Sequence, residues 1–244
     1  MSNDRPDRPP VDSRRPPPQA ASRAEVDAFL AKARATAPLV EAGQRGRLLF
    51  ALDATMSRQP TWDTACRLQA DMFSAAAAVG GLDVQLVYYR GFGECRSSRW
   101  VSQPERLADL MRRIDCRGGH TQIGKILAHA RRETAQAKVQ TLVFVGDAME
   151  EAIDDLAACA GELGLLGVPA LMFQEGTDAT AERAFREIAR LTRGAYCRFD
   201  PGAAETLRAL LRAAAVYAAG GVRALRDLSQ RRDSGATLLL RQLG

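Results

Sequence analysis

From residue 47 onward, short apolar runs alternate with longer stretches in which apolar residues return every third or fourth position. The short runs, at 48–52, 84–89, 142–145, 169–173 and 196–199, are rich in Leu, Val, Phe and Tyr and read as strands. Those at 48–52 and 142–145 hold no polar residue, which predicts strands covered on both faces. The longer stretches, at 61–79, 104–114, 123–134, 154–163, 179–191 and 203–219, read as amphipathic helices. Local chemistry supports several of their starts: Asp178 and Thr180 precede Glu182, and Pro104 sits where a first-turn proline is tolerated. Such repetition of strand, loop and helix predicts an α/β fold, a doubly wound three-layer sandwich with a mostly parallel sheet flanked by helices. A further short strand around 99–101 is expected to pair at an edge, reached by a tight turn through Gly91 and Gly93.

The chain divides around that pattern. Residues 1–23 are crowded with Pro, Arg and Asp and offer no apolar run to bury, so they are expected to form a disordered tail. Residues 24–46 read as a helix and linker, with Val26, Phe29, Leu30, Ala33 and Leu39 at near-helical spacing and Gly43 and Gly46 closing it. Residues 47–219 form the main domain. Gly220 and Gly221 are expected to end its last helix, leaving 220–244 as an extension with an Arg-rich segment and an apolar stretch at 236–240. That end reads either as an added helix and strand or as an arm for a partner.

Composition narrows the function classes. Apolar residues make up 46% and charged residues 26% of the 244, ordinary for a soluble globular chain. No apolar h-region follows the charged start, and no stretch supplies the roughly 20 apolar residues of a membrane span, so a cytoplasmic protein without a membrane partner is expected. Five cysteines stand without a C-x-x-C pair beside only two histidines, which argues against a zinc site or a disulfide framework. The net charge of +5 is carried almost wholly by arginine, since Lys32, Lys125 and Lys138 are the only lysines.

The candidate chemistry lies at strand ends. Two apolar runs finish in Asp53 and, after Gly146, Asp147, and in an open parallel sheet ligands bind beyond the carboxyl ends of the strands where the strand order reverses. Asp53 continues through Thr55 and Ser57 as Asp-x-Thr-x-Ser, with the three side chains alternating onto one side of an extended loop. Thr121, in a Gly118-Gly119-His120-Thr121 loop, adds a third hydroxyl just before a helix. Taken singly, Thr55, Ser57 and Thr121 are helix caps or turn residues and Asp147 a solvated strand-end acid. Taken together they are hard oxygen donors suited to a small hard cation such as Mg²⁺.

This conjunction resembles the metal-ion-dependent adhesion site of the von Willebrand factor type A (VWA) domain, an Asp-x-Ser-x-Ser motif followed by a distant Thr and a distant Asp. The resemblance spans about 47–219, with threonine in place of the first serine. It implies a Rossmann-like VWA fold holding Mg²⁺ or Mn²⁺, with Thr55, Ser57 and Thr121 as direct ligands and Asp53 and Asp147 acting mainly through water. It further implies a non-enzymatic module whose cation takes an Asp or Glu from a partner protein. Glu150 and Glu151 stand close enough in sequence either to compete with that carboxylate or to serve as a solvated helix entrance. Arg58, Gln59 and Trp62 are candidates for the rim, with core packing the other reading of Trp62. Tyr88, Tyr89, Arg90, Phe92 and Trp100 are either a recognition surface or core filling.

Two rival functions follow from other features. Arg208, Arg212, Arg223, Arg226, Arg231 and Arg232 make a basic C-terminal arm that would suit nucleic acid, although Glu205, Asp227 and Asp233 interrupt it. A metal-dependent hydrolase is the weaker rival. Thr55 stands where the haloacid-dehalogenase motif needs a second aspartate, Ser57 lies in no G-x-S-x-G elbow, and no Walker or G-x-G-x-x-G sequence follows a strand.

Overall fold

The first strand, β1 (Gly46–Asp53), carries the apolar run that organises everything around it. Its side chains alternate, so Leu48, Phe50 and Leu52 enter one hydrophobic core while Leu49 and Ala51 enter a second on the opposite face. This computed structural model describes residues 45–243. The tail at 1–23 and the helix and linker at 24–46 are therefore expectations that lie, but for the last two residues, outside the described part.

Five further strands complete the sheet: β2 (Leu82–Arg90), β3 (Glu94–Ser97), β4 (Thr141–Gly146), β5 (Ala170–Glu175) and β6 (Ala195–Phe199). Their order is β3-β2-β1-β4-β5-β6, all parallel except β3, which runs antiparallel to β2 at the edge. One face is covered by α1 (Gln59–Ala77), α2 (Pro104–Arg112), α6 (Ala204–Gln230) and α7 (Ser234–Leu240). The other is covered by α3 (Ile123–Gln136), α4 (Ile153–Leu165) and α5 (Ala179–Thr192). The result is the expected doubly wound three-layer sandwich. After β1 the chain turns to one side for β2 and β3 and to the other for β4 to β6, so the switch point lies between the carboxyl ends of β1 and β4.

Local starts follow the sequence chemistry. The Asp178 carboxylate accepts the Ala181 N–H at 2.6 Å and caps α5, and Pro104 opens α2. One expectation needs correction. The edge strand lies at 94–97, not 99–101, because the Gly91–Gly93 turn is tight enough for Glu94 to pair directly with Arg90. Only Val101 reaches β2, in a single bridge to Val84. The last long helix is interrupted where expected: Gly221, at φ 65°, is non-helical, and a second helical stretch runs on from it to Gln230.

The C-terminal apolar stretch is a helix rather than a strand. Asp233 caps α7 by accepting the Ala236 N–H at 2.9 Å, and Ala236 and Leu239 are buried in the core. Past α7, the Gln242 amide accepts the Tyr196 N–H at 2.8 Å and donates to the Tyr196 carbonyl at 2.6 Å. It thereby occupies the outer edge of β6 as one residue of a further strand would.

On the other face, half-buried His129 bonds the Gln85 side chain at 2.8 Å. Burial pulls its pKa below 6.5, opposed by the Glu133 carboxylate and helped by Arg132. A histidine held neutral in the fold contributes stability above its unfolded value, and that contribution is lost as pH falls towards the folded value. Between about pH 7 and pH 5 the wild-type melting temperature should therefore fall more steeply than that of His129→Gln. Parallel thermal melts check this, and equal slopes would exclude His129 as the source.

Candidate metal centre

Asp53 ends β1 and is buried at 3% exposure, at the switch point itself. Its Oδ1 accepts the Thr55 N–H at 2.7 Å, a local bond that turns the chain and sets the Thr55 and Ser57 hydroxyls side by side, 3.4 Å apart. Ser57 Oγ in turn lies 3.4 Å from Asp147 Oδ2, just past the end of β4. These separations are long for O–H···O hydrogen bonds, which favour about 2.7–2.8 Å. Neighbouring oxygens around an octahedral Mg²⁺, with bonds of about 2.0–2.1 Å, stand about 3 Å apart.

Thr121 reaches the same end of the sheet from a different loop. The Arg117 N–H donates to the Ala54 carbonyl at 3.0 Å and the His120 N–H to Gly91 at 3.2 Å, tying that loop to the ends of β1 and β2. Gly119 is required there, because a Cβ would stand 2.1 Å from the Gly91 carbonyl oxygen. The Thr121 hydroxyl accepts the Glu150 N–H at 2.9 Å, and Glu150 Oε2 accepts the Thr121 N–H at 3.0 Å. So Asp53, Thr55, Ser57 and Asp147 form one bonded or near-bonded chain, while Thr121 is bonded to Glu150, three residues past Asp147.

The two acids beyond Asp147 have separate duties. Glu151 accepts the N–H groups of Ile123 and Gly124 and caps α3. Glu150 lies exposed between Thr121 and His120, whose Nδ1 is 3.1 Å away, and the Thr121 N–H holds its carboxyl below the usual range. Arg58 and Trp62 are not rim residues. Trp62 is in the core, donating Nε1–H to the Met111 carbonyl at 3.2 Å. Arg58, 4% exposed, sets Nη1 3.6 Å from Asp147 Oδ2 and Nη2 against Glu175, which also accepts the Thr61 hydroxyl.

Within the aromatic and basic group, Tyr88 and Tyr89 fill the two cores and Trp100 lies under the Arg47 guanidinium, 4.0 Å from the ring centroid. Phe92 alone is freely exposed, at 84%, edge-on to His120. It shares the rim with Met56, which is 62% exposed between the two motif hydroxyls.

Arg58 Nη1, 3.6 Å from Asp147 Oδ2, offsets part of the negative charge of the two carboxylates. Burial raises the Asp53 pKa, its bond from Thr55 opposes that rise, and Asp147 adds to it. The Tyr89 hydroxyl is wholly buried beside this carboxylate without a well-aligned partner among the described residues. Two carboxylates and two hydroxyls brought together beside a buried phenol are oxygen donors of the kind a hard cation takes. No cluster of three His, Cys, Asp or Glu placed to hold a metal is found among the described residues.

No family model matches the chain and no curated protein matches it in sequence. Solved structures do match in fold. An aerotolerance-related membrane protein from Bacteroides fragilis, crystallised with multiple mutations to serine, aligns over 70% of this chain and 98% of its own at TM-score 0.53 and 19% identity. The SpRpn10 VWA domain aligns over 66% of this chain and 90% of its own at TM-score 0.53 and 11% identity. Proximal thread matrix protein 1 from the mussel byssus, with a zinc-occupied metal-ion-dependent adhesion site, aligns over 72% of this chain and 47% of its own at TM-score 0.56 and 14% identity. The shared feature is the fold, a doubly wound sheet of VWA type. Among the described residues no helix is long and apolar enough to cross a membrane.

Proposed function

We propose that this chain, which has the VWA fold, is a metal-dependent protein-interaction module. The observation that carries the reading is the run Asp53, Thr55, Ser57 and Asp147, whose polar groups come within 3.4 Å of one another in turn at the switch point. Thr55, Ser57 and Thr121 would hold Mg²⁺ or Mn²⁺ directly, and Asp53 and Asp147 through water. A cation held mainly by neutral hydroxyls supplies strong positive charge at the surface and a coordination position for a partner's Asp or Glu. Exposed Met56 and Phe92 add apolar contact on the rim, as interface residues of these types commonly do. The mussel protein's zinc in the corresponding motif supports the use of a divalent cation.

Binding by the full chain can be followed with Mn²⁺ and water-proton relaxation, then repeated with a glutamate-bearing peptide. Wild type should take up one Mn²⁺ and lose bound-water relaxation when the peptide arrives. Thr121→Ala should weaken Mn²⁺ by about tenfold, as loss of one ligand or its support does, with an unchanged circular dichroism spectrum. Mn²⁺ binding that ignores both Thr121→Ala and Asp53→Ala would refute the site.

A further inference from the structure

On the face carrying α3, an open cleft of about 400 Å³ lies between that helix and the edge of the sheet. Its floor includes Val87 and Cys95, and Ser97 lies at its outer margin. Its wall is α3, where Lys125, His129 and Arg132 recur at the spacing that puts them on one helix face. Arg96 lines it from the strand, but its side chain alternates with those of Cys95 and Ser97 and pairs with Glu94 on the opposite face.

Among the charged groups of this cleft, Lys125 and Arg132 are not met by a carboxylate among the described residues. Lys125 donates only to neutral oxygens, the Gly93 carbonyl at 2.9 Å and the Gln122 side chain at 2.8 Å. Arg132 is exposed, with no carboxylate paired to it among the described residues. Glu94 is shared between Arg90 and Arg96, and Glu133 is taken by the Trp100 Nε1–H and Arg47.

Backbone alternation supplies the second half of the argument. Arg96 is the register partner of Tyr88, and the next inward N–H, that of Ser98, donates to the Leu86 carbonyl at 2.8 Å. In an antiparallel ladder the intervening residues, Cys95 and Ser97, therefore turn their N–H and C=O groups outward. Nothing among the described residues pairs with that edge. A segment adding there would alternate its side chains, every second one facing the basic wall.

We propose that this cleft docks an extended acidic segment of a partner protein, added antiparallel or parallel to β3 and carrying Asp or Glu at every second position. The main chain of the segment bonds the Cys95 and Ser97 edge while the carboxylates on its α3 side meet Lys125 and Arg132. Single-stranded nucleic acid is disfavoured because the cleft offers no aromatic face on which bases stack.

The test is fluorescence anisotropy on the full chain with excess chelator, which removes any contribution from a bound cation. The probes are a labelled alternating Glu-Thr octapeptide, a block peptide of the same composition, and oligothymidylate. The alternating peptide should bind at least about tenfold more tightly than the block peptide, and Lys125→Glu with Arg132→Glu should cost about tenfold or more. Ser97→Pro removes an outward donor without touching the ladder and should also abolish binding. Equal binding of the two peptides, preference for oligothymidylate, or indifference to the charge reversal would each overturn the proposal.

Discussion

Millimolar Mg²⁺ should raise the melting temperature of the wild-type chain and leave Asp53→Ala and Asp53→Asn unmoved. A ligand that binds only the folded state at a hundredfold excess over its dissociation constant stabilises by about 2.7 kcal/mol. For a domain of this size each kcal/mol shifts the midpoint by roughly 2–4 °C, so the expected rise is about 5–10 °C. The sign in chelator is equally informative. Burial raises the Asp53 pKa, so its contribution to stability is lost as pH climbs through the folded value. Above that value wild type carries the cost of a buried, ionised carboxylate, and Asp53→Asn does not. Asparagine also keeps an acceptor for the Thr55 N–H. In chelator near pH 8, Asp53→Asn should melt at or above wild type, yet show no response to Mg²⁺, Mn²⁺ or Ca²⁺. A metal response of equal size in wild type and both variants would remove the cation from Asp53.

The second large effect belongs to Arg58, Glu175 and Asp147. Arg58→Met leaves Glu175 buried without its counter-ion, a loss of about 3–5 kcal/mol for a pair of this kind. Replacing both, as Arg58→Met with Glu175→Leu, removes the unpaired charge and should recover most of that stability, because a buried pair exchanged for apolar residues of similar volume is commonly neutral. Urea denaturation of the two variants and wild type measures the difference. A double variant as unstable as Arg58→Met alone would show that the guanidinium acts through packing or through Asp147 instead.

The parallel sheet was legible because its strands are buried on both faces. The runs containing Phe50 and Phe144 must be strands covered twice, and two such strands ending in acids imply a shared crevice. What escaped the sequence depends on neighbours far along the chain. Arg58 follows Ser57 and reads as a solvent-facing residue, but it turns inward because Glu175, more than a hundred residues later, supplies its counter-charge. Glu175 itself obeys the strand-end rule that singles out Asp53 and Asp147, since it closes β5. Glu150 and Glu151 read as a solvated entrance, whereas Glu151 caps α3 across the crevice. The misplaced edge strand has a local cause: 94–97 is short and polar, without the apolar rhythm that marks the other five.

The Gln242 amide on β6 gives the two margins of the sheet different valence. Head-to-tail stacking of copies, β3 of one onto β6 of the next, would repeat without limit and build a filament. That route is obstructed at Tyr196, whose outward N–H and C=O are already taken by the chain's own side chain. β3 meeting β3 would instead be an isologous pairing that stops at two copies and brings Arg96 of each towards the other. A strain of growth that sheet proteins ordinarily suppress with charge or proline is here capped at one end by a single amide.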